Sequence, residues 1–289
     1  MTADAALRGV ALPELPPEIE VRRRRVAVGA GSLAVAELGP PQAPAWVLAH
    51  GMGSSARFMA AAFAAPVVRS GWRLVAYDLR GHGSSSPARS TEQHHLDVHA
   101  ADLASVVASV RGPVTVVGGV SLGAHAAVRA VGTGVDAELV LACLPAWVGT
   151  ATPGRGPHAA TAARIAAEGV APTIAALRTD EVLAPWLRAT LLADYPRHDP
   201  ASLEAALRSL DGADAPGHEE LRRLRLPLVV LGWPDDPGHP LAVARRWAEL
   251  APRSSQLTVT IRSLDVAVTR LGAAAVKATG AHRRVGSRR

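Results

Sequence analysis

The chain has 289 residues, 48% of them hydrophobic and 19% charged, which excludes a disordered polypeptide and allows one large domain, or a domain with an insertion, around a sizeable core. The net charge of +6 raises nucleic-acid binding, but the excess sits largely in Arg22-Arg23-Arg24-Arg25 and in the tail from His282 to Arg289, and no nucleic-acid signature accompanies it. No apolar run reaches the length of a membrane span, the N-terminus lacks the order of a signal peptide, and a lone Cys143 excludes an internal disulfide; a cytoplasmic protein with a small-molecule partner, no nucleic acid and no membrane is the expectation.

In chain order, Val21 to Val28 and Ser32 to Leu38 flank Gly29-Ala30-Gly31 and predict a hairpin. Its four arginines lie between valines at either end and read as a solvated sheet face or edge. Trp46 to Ala49 predicts the next strand, and His50-Gly51-Met52-Gly53 follows it. A glycine-flanked loop at a strand end turns backbone N–H groups toward a cleft, which makes Met52 N–H a candidate oxyanion donor. His50 reads as the residue that orders this loop. A helix over Ala56 to Arg69 leads to a strand at Arg73 to Tyr77, then to Asp78-Leu79-Arg80-Gly81-His82-Gly83-Ser84-Ser85. After a helix at His95 to Val110, Val114 to Val117 predicts a strand that runs into Gly119-Val120-Ser121-Leu122-Gly123 and a helix to Val131. A strand, G-x-S-x-G and a helix in that order form a nucleophile elbow. It presents the Ser121 hydroxyl to a cleft and leaves Leu122 N–H free at a helix N-terminus, a second oxyanion donor.

Leu139 to Ala142 predicts a strand, after which the pattern changes. Residues 144–226 carry no convincing strand but hold helical stretches at Thr161 to Glu168, Glu181 to Ala193, Ser202 to Leu210 and Glu219 to Leu224, punctuated by prolines. They predict a helical insertion, or cap, between core segments 1–143 and 227–280. Trp147, Leu183, Trp186, Leu187 and Leu191 are candidates either to wall a pocket or to pack cap on core. Strands then return at Leu228 to Leu231 and Leu257 to Ile261, with helices at Pro240 to Leu250 and Leu264 to Ala278. Residues 281–289 read as a disordered basic tail. Short strands alternating with helices predict a mostly parallel sheet covered on both faces. Histidines 94, 95 and 99 form no metal-ligand set, and neither H-E-x-x-H nor a second cysteine is present, so no metal or other cofactor is expected.

With HGMG, DLRGHGSS, GVSLG and LVVLGWPDDPGHP in this order, residues 20 to 260 resemble the α/β-hydrolase superfamily, in particular its small-molecule esterase, haloperoxidase-like and C–C-bond-hydrolase branch. The resemblance implies an α/β-hydrolase fold with a mostly parallel eight-stranded sheet, helices on both faces and a helical cap. It implies a structural role for Asp78, Arg80 and His82. It also implies Ser121 as nucleophile and a triad acid in the loop after Leu228 to Leu231, where Asp236 fits and Asp235 is the fallback. The family's histidine belongs after the last strand, about where Asp265 stands, and that segment has none; Asp265 itself reads as an acid in the first turn of a helix. The later His282 lies beyond a helix that carries it about 20 Å from the cleft. His239, three residues after Asp236 in a cleft-facing loop, is the first surrogate base, with His125 and His50 as alternatives. Two functions stay open: hydrolysis of an uncharged, largely apolar ester, lactone or related carbonyl compound, and a non-hydrolytic protein that binds a small apolar ligand or templates another step.

Overall fold

The computed structural model describes residues 12–29, 31–151, 158–234, 236–260 and 262–286. Their strands are β1 (Val21–Val28), β2 (Gly31–Leu38), β3 (Ala45–Ala49), β4 (Arg73–Tyr77), β5 (Val114–Val120), β6 (Leu139–Cys143), β7 (Leu228–Gly232) and β8 (Ser254–Thr258). They form one sheet in the order β1-β2-β4-β3-β5-β6-β7-β8. β2 runs antiparallel to both its neighbours, and every pairing from β4 to β8 is parallel. The arginines of β1 lie at the sheet edge, where Arg24 pairs with Glu37 on β2.

Residue alternation divides the sheet into two cores. Val47, Val75, Val117, Val140 and Val230 point to one face. There they meet α2 (Leu96–Ala108), α3 (Leu122–Gly132), α8 (His218–Arg222) and α9 (Leu241–Leu250). Trp46, Leu48, Leu74, Val116, Leu141 and Leu231 point to the other, under α1 (Ala56–Arg69) and α11 (Thr269–Gly286). All five residues of β3, β4, β6 and β7 are buried, as parallel strands covered on both sides must be.

Between β6 and β7 lie α4 (His158–Glu168), α5 (Val170–Thr179), α6 (Pro185–Asp194) and α7 (Pro200–Ser209), then α8. The sequence reading misses α5, because Pro172 looks like a breaker. It sits in the first turn, where a missing N–H costs nothing. The expected helix from Glu181 starts later, at Pro185, for the same reason. Two expectations at the C-terminus are corrected. β8 lies three residues earlier than Leu257 to Ile261, and the short α10 (Ser263–Val266) precedes α11. Helix α11 also runs past Ala278, the expected end of the last helix, to Gly286. Residues 287–289 lie outside the described residues. Among the described residues no helix is long and apolar enough to cross a membrane.

Candidate active site

β3, β5, β6 and β7 are parallel, so the loops at their C-terminal ends gather along one edge of the sheet. Ser121 occupies the tightest of these turns, with φ 53° and ψ −115°, a strained conformation for a residue with a side chain. It is held by its N–H, which donates to Cys143 O at 2.8 Å, and by its own C=O, which accepts from Ala124 N–H and His125 N–H. The two glycines of the motif are required by packing. A Cβ on Gly119 or on Gly123 would lie 2.3 Å from Ala49 O on β3.

The loop after β7 approaches Ser121 from beyond β6. The Ser121 hydroxyl donates to His239 Nε2 at 2.9 Å, and His239 Nδ1–H donates to Asp236 Oδ2 at 2.6 Å. Asp236 Oδ2 also accepts from the Trp233 indole N–H at 3.0 Å, and Oδ1 accepts from Gly238 N–H at 2.8 Å. Partial burial pushes the Asp236 carboxyl up, but the donors from His239, Trp233 and Gly238 outweigh it and hold the carboxyl down at about 2. The carboxylate is therefore charged at neutral pH and faces the imidazole.

The His50-Gly51-Met52-Gly53 loop lies against the elbow. A Cβ on Gly51 would be 3.3 Å from Ser121 Cβ. Three histidines fix this loop through their ring nitrogens. His50 Nδ1–H donates to Gly51 O at 2.7 Å while Nε2 accepts from Leu79 N–H. His82 Nε2 accepts from Gly53 N–H, and His198 Nε2–H donates to Gly53 O. Gly53 has φ +74°, and a Cβ there would come within 2.8 Å of the Tyr195 ring. Among the described residues the N–H groups of Met52 and Leu122 have no hydrogen-bond partner. Leu122 is the first residue of α3, where helix geometry leaves the N–H without one.

The sequence profile of the Alpha/beta hydrolase family matches residues 46–269, which span all the parallel strands and the three loops just described. The chain belongs to that family. Among solved structures it is similar to the enol-lactonase from Burkholderia xenovorans LB400, with TM-score 0.68 and 19% identity over 91% of this chain and 98% of the other. It is also similar to a bromoperoxidase from Bacillus anthracis, with TM-score 0.67 and 16% identity over 93% and 98%. A third, a carboxylesterase from Bacillus subtilis, has TM-score 0.63 and 20% identity over 99% and 94%. At these identities the likeness is one of fold. No curated protein matches the chain.

The structure brings Ser121, Asp236 and His239 into one hydrogen-bonded chain, and among the described residues no other histidine joins it. Backbone groups engage both ring nitrogens of His50. His125 Nε2 accepts from Ala146 N–H at 3.0 Å, and its ring lies between Trp147 and Trp247, where burial and the nearby His239 pull it down to about 3. Asp235 and the His282 side chain lie outside the described residues. Asp265, where the family's histidine is expected, accepts the Trp186 N–H at 3.2 Å at the start of α6. In the Asp78 to Ser85 loop, Asp78 accepts from Ala56 N–H and Ser84 N–H, and Arg80 makes two bonds to Asp102.

The sequence reading overlooks Trp233 and His198. Trp233 directly follows β7 on the way to Asp236, and that adjacency is the only signal for it. His198 reaches Gly53 and Gly83 from the segment between α6 and α7, and nothing local in the sequence marks it. Of the five candidates for the pocket or the cap–core interface, Trp186 and Leu187 pack with the core under α1. Leu183 and Leu191 join a separate apolar cluster that takes in Met52 and Tyr195. Trp147 donates its indole N–H to Ala213 O.

Proposed function

We propose that this chain is a serine hydrolase acting on an uncharged, largely apolar small-molecule ester, lactone or related carbonyl compound. One observation carries the reading: the continuous chain from Ser121 Oγ through His239 to Asp236, at 2.9 and 2.6 Å. In the proposed reaction His239 Nε2 takes the Ser121 proton as Oγ adds to the substrate carbonyl carbon. The carbonyl oxygen becomes an oxyanion and accepts from the Met52 and Leu122 N–H groups. Asp236 holds the Nδ1–H tautomer and stabilises the imidazolium. The imidazolium then protonates the departing alkoxide, leaving an acyl group on Ser121. Water, deprotonated by His239, releases the acid and restores the hydroxyl. No cofactor enters. The apolar cluster around Met52, Leu183, Leu191 and Tyr195 supports an apolar substrate, and the carboxylesterase and the enol-lactonase of similar fold support carbonyl hydrolysis.

Fluorophosphonate labelling and turnover of an activated ester test this reading. Ser121→Ala is expected to abolish both with the thermal midpoint nearly unchanged. His239→Ala is expected to lower both by about 10²–10⁴-fold, the usual range for general-base assistance. Labelling or turnover that survives Ser121→Ala removes the nucleophile. A folded wild type that does neither favours a non-hydrolytic protein binding a small apolar ligand.

A further inference from the structure

Resting on that reading, we infer that Trp233 is a positioning residue for the acid–base pair: its buried indole N–H fixes the Asp236 carboxylate so that His239 stays aimed at Ser121. The need for such a residue arises from chain connectivity. Acid and base stand three residues apart on a single turn, Asp236-Pro237-Gly238-His239, instead of on two separately anchored loops. Pro237 and Gly238 within the turn and Pro240 after it are exposed, and packing does not hold the turn from outside. Two of the three donors to the carboxylate, His239 Nδ1–H and Gly238 N–H, belong to the turn itself and move with it. The third is Trp233 Nε1–H, at 3.0 Å from the same Oδ2 that accepts from His239.

Trp233 suits that task. The residue is 1% exposed, and an indole offers one donor and no acceptor, so this N–H has a single direction to give. The ring packs on Trp186 with centroids 5.7 Å apart, and Trp186 stacks on Phe58 of α1 at 5.5 Å and 27°. The donor is therefore anchored both to the core helix α1 and to α6 of the segment between β6 and β7. Locked packing behind a polar contact is what a preorganised site requires.

The test uses Trp233→Phe, which keeps an aromatic ring and removes the donor. The second-order rate constant for fluorophosphonate labelling of Ser121 is expected to fall about tenfold, the alignment carried by one charge-assisted hydrogen bond. Combined with Asp236→Asn, the same substitution is expected to add almost nothing, because its effect passes through the carboxylate. The far-downfield proton resonance of His239 Nδ1–H, assigned by its absence in His239→Ala, is expected to shift in Trp233→Phe. If Phe at this position prevents folding, β-(3-benzothienyl)alanine at position 233 keeps the bicyclic shape and replaces N–H with sulfur, with the same expectations. Labelling at the wild-type rate with an unmoved resonance overturns the inference. So does an equal tenfold loss whether or not Asp236→Asn is also present. If wild type does not label, or His239→Ala labels as fast as wild type, the hydrolase reading itself fails and takes the inference with it.

Discussion

Asp265 stands near the place in chain order where the family's histidine is expected, and its carboxylate already has a partner in the Trp186 N–H. Replacing it with histidine therefore does not fill an empty base position. Ser121 Oγ already donates to His239 Nε2, and a second imidazole has no free proton to take without displacing the first. Asp265→His is expected to leave activated-ester turnover within about twofold of wild type, against the about 10²–10⁴-fold loss expected for His239→Ala. A large gain from Asp265→His in the same initial-rate assay would assign the base to the loop after β8. Ser121, Met52, Leu122, Asp236 and His239 were legible as candidates because each lies in a local motif at the end of a strand. Trp233 and His198 were not. An indole aimed at a carboxylate three residues on, and an imidazole reaching Gly53 from 145 residues away, depend on packing that no local pattern encodes.

Among the elements, α6 shows how the segment between β6 and β7 is tied to the core. Its N-cap is Ala184, which has no side-chain acceptor, and the Trp186 N–H finds one across space in Asp265 on α10. Asp265→Ala leaves that N-terminus without its cap. The expected cost is about 1 kcal/mol, read as a thermal midpoint lower by about 2–4 °C. An unchanged midpoint would mean that water replaces the carboxylate at no cost. The mostly parallel sheet covered on both faces is legible because β-branched runs alternate with helices of ordinary length; the strand order is not, since alternation alone does not place β4 beside β2. The start of β8 is not legible because Ser254, Ser255 and Gln256 are polar. As the last strand in the sheet, β8 is only partly buried and needs no apolar run. α5 is not legible because Pro172 breaks the helical pattern in sequence, whereas in the first turn it removes no helical hydrogen bond.

Taken as a whole, the molecule buries five histidines in a row of neighbouring rings that starts at the Gly51–Gly53 loop with His50, His82 and His198 and continues through His94 to His99, and these make it sensitive to acid. His50 and His82 lie 5.2 Å apart between ring centroids, His82 and His198 5.0 Å, and His94 and His99 5.8 Å. Burial pulls all five below the ordinary imidazole value, His50 to about 4. The unfolded chain therefore takes up protons first as pH falls. The stability these neutral imidazoles contribute is present above about pH 6.5 and is lost as pH falls below it, the His50 share continuing down to about 4. Asp194 opposes this, since burial raises it to about 6, and burial raises Asp102 as well, so the fold binds these protons more tightly than the unfolded chain does; the five histidines, with His125 lowered besides, outnumber them. Asp236 and Asp199, each held at about 2, add their loss only below the ordinary carboxylate range. The thermal midpoint is expected to be level between about pH 8 and 7 and to fall steeply from about pH 6.5 to 4.5. His99 offers a separate check: both of its ring nitrogens are buried without a partner, so His99→Leu removes a proton-binding site and no hydrogen bond. That variant is expected to gain more stability over wild type at about pH 5 than at about pH 8. A midpoint flat down to about pH 4.5, or a His99→Leu effect equal at both pH values, would show that these imidazoles do not govern acid stability.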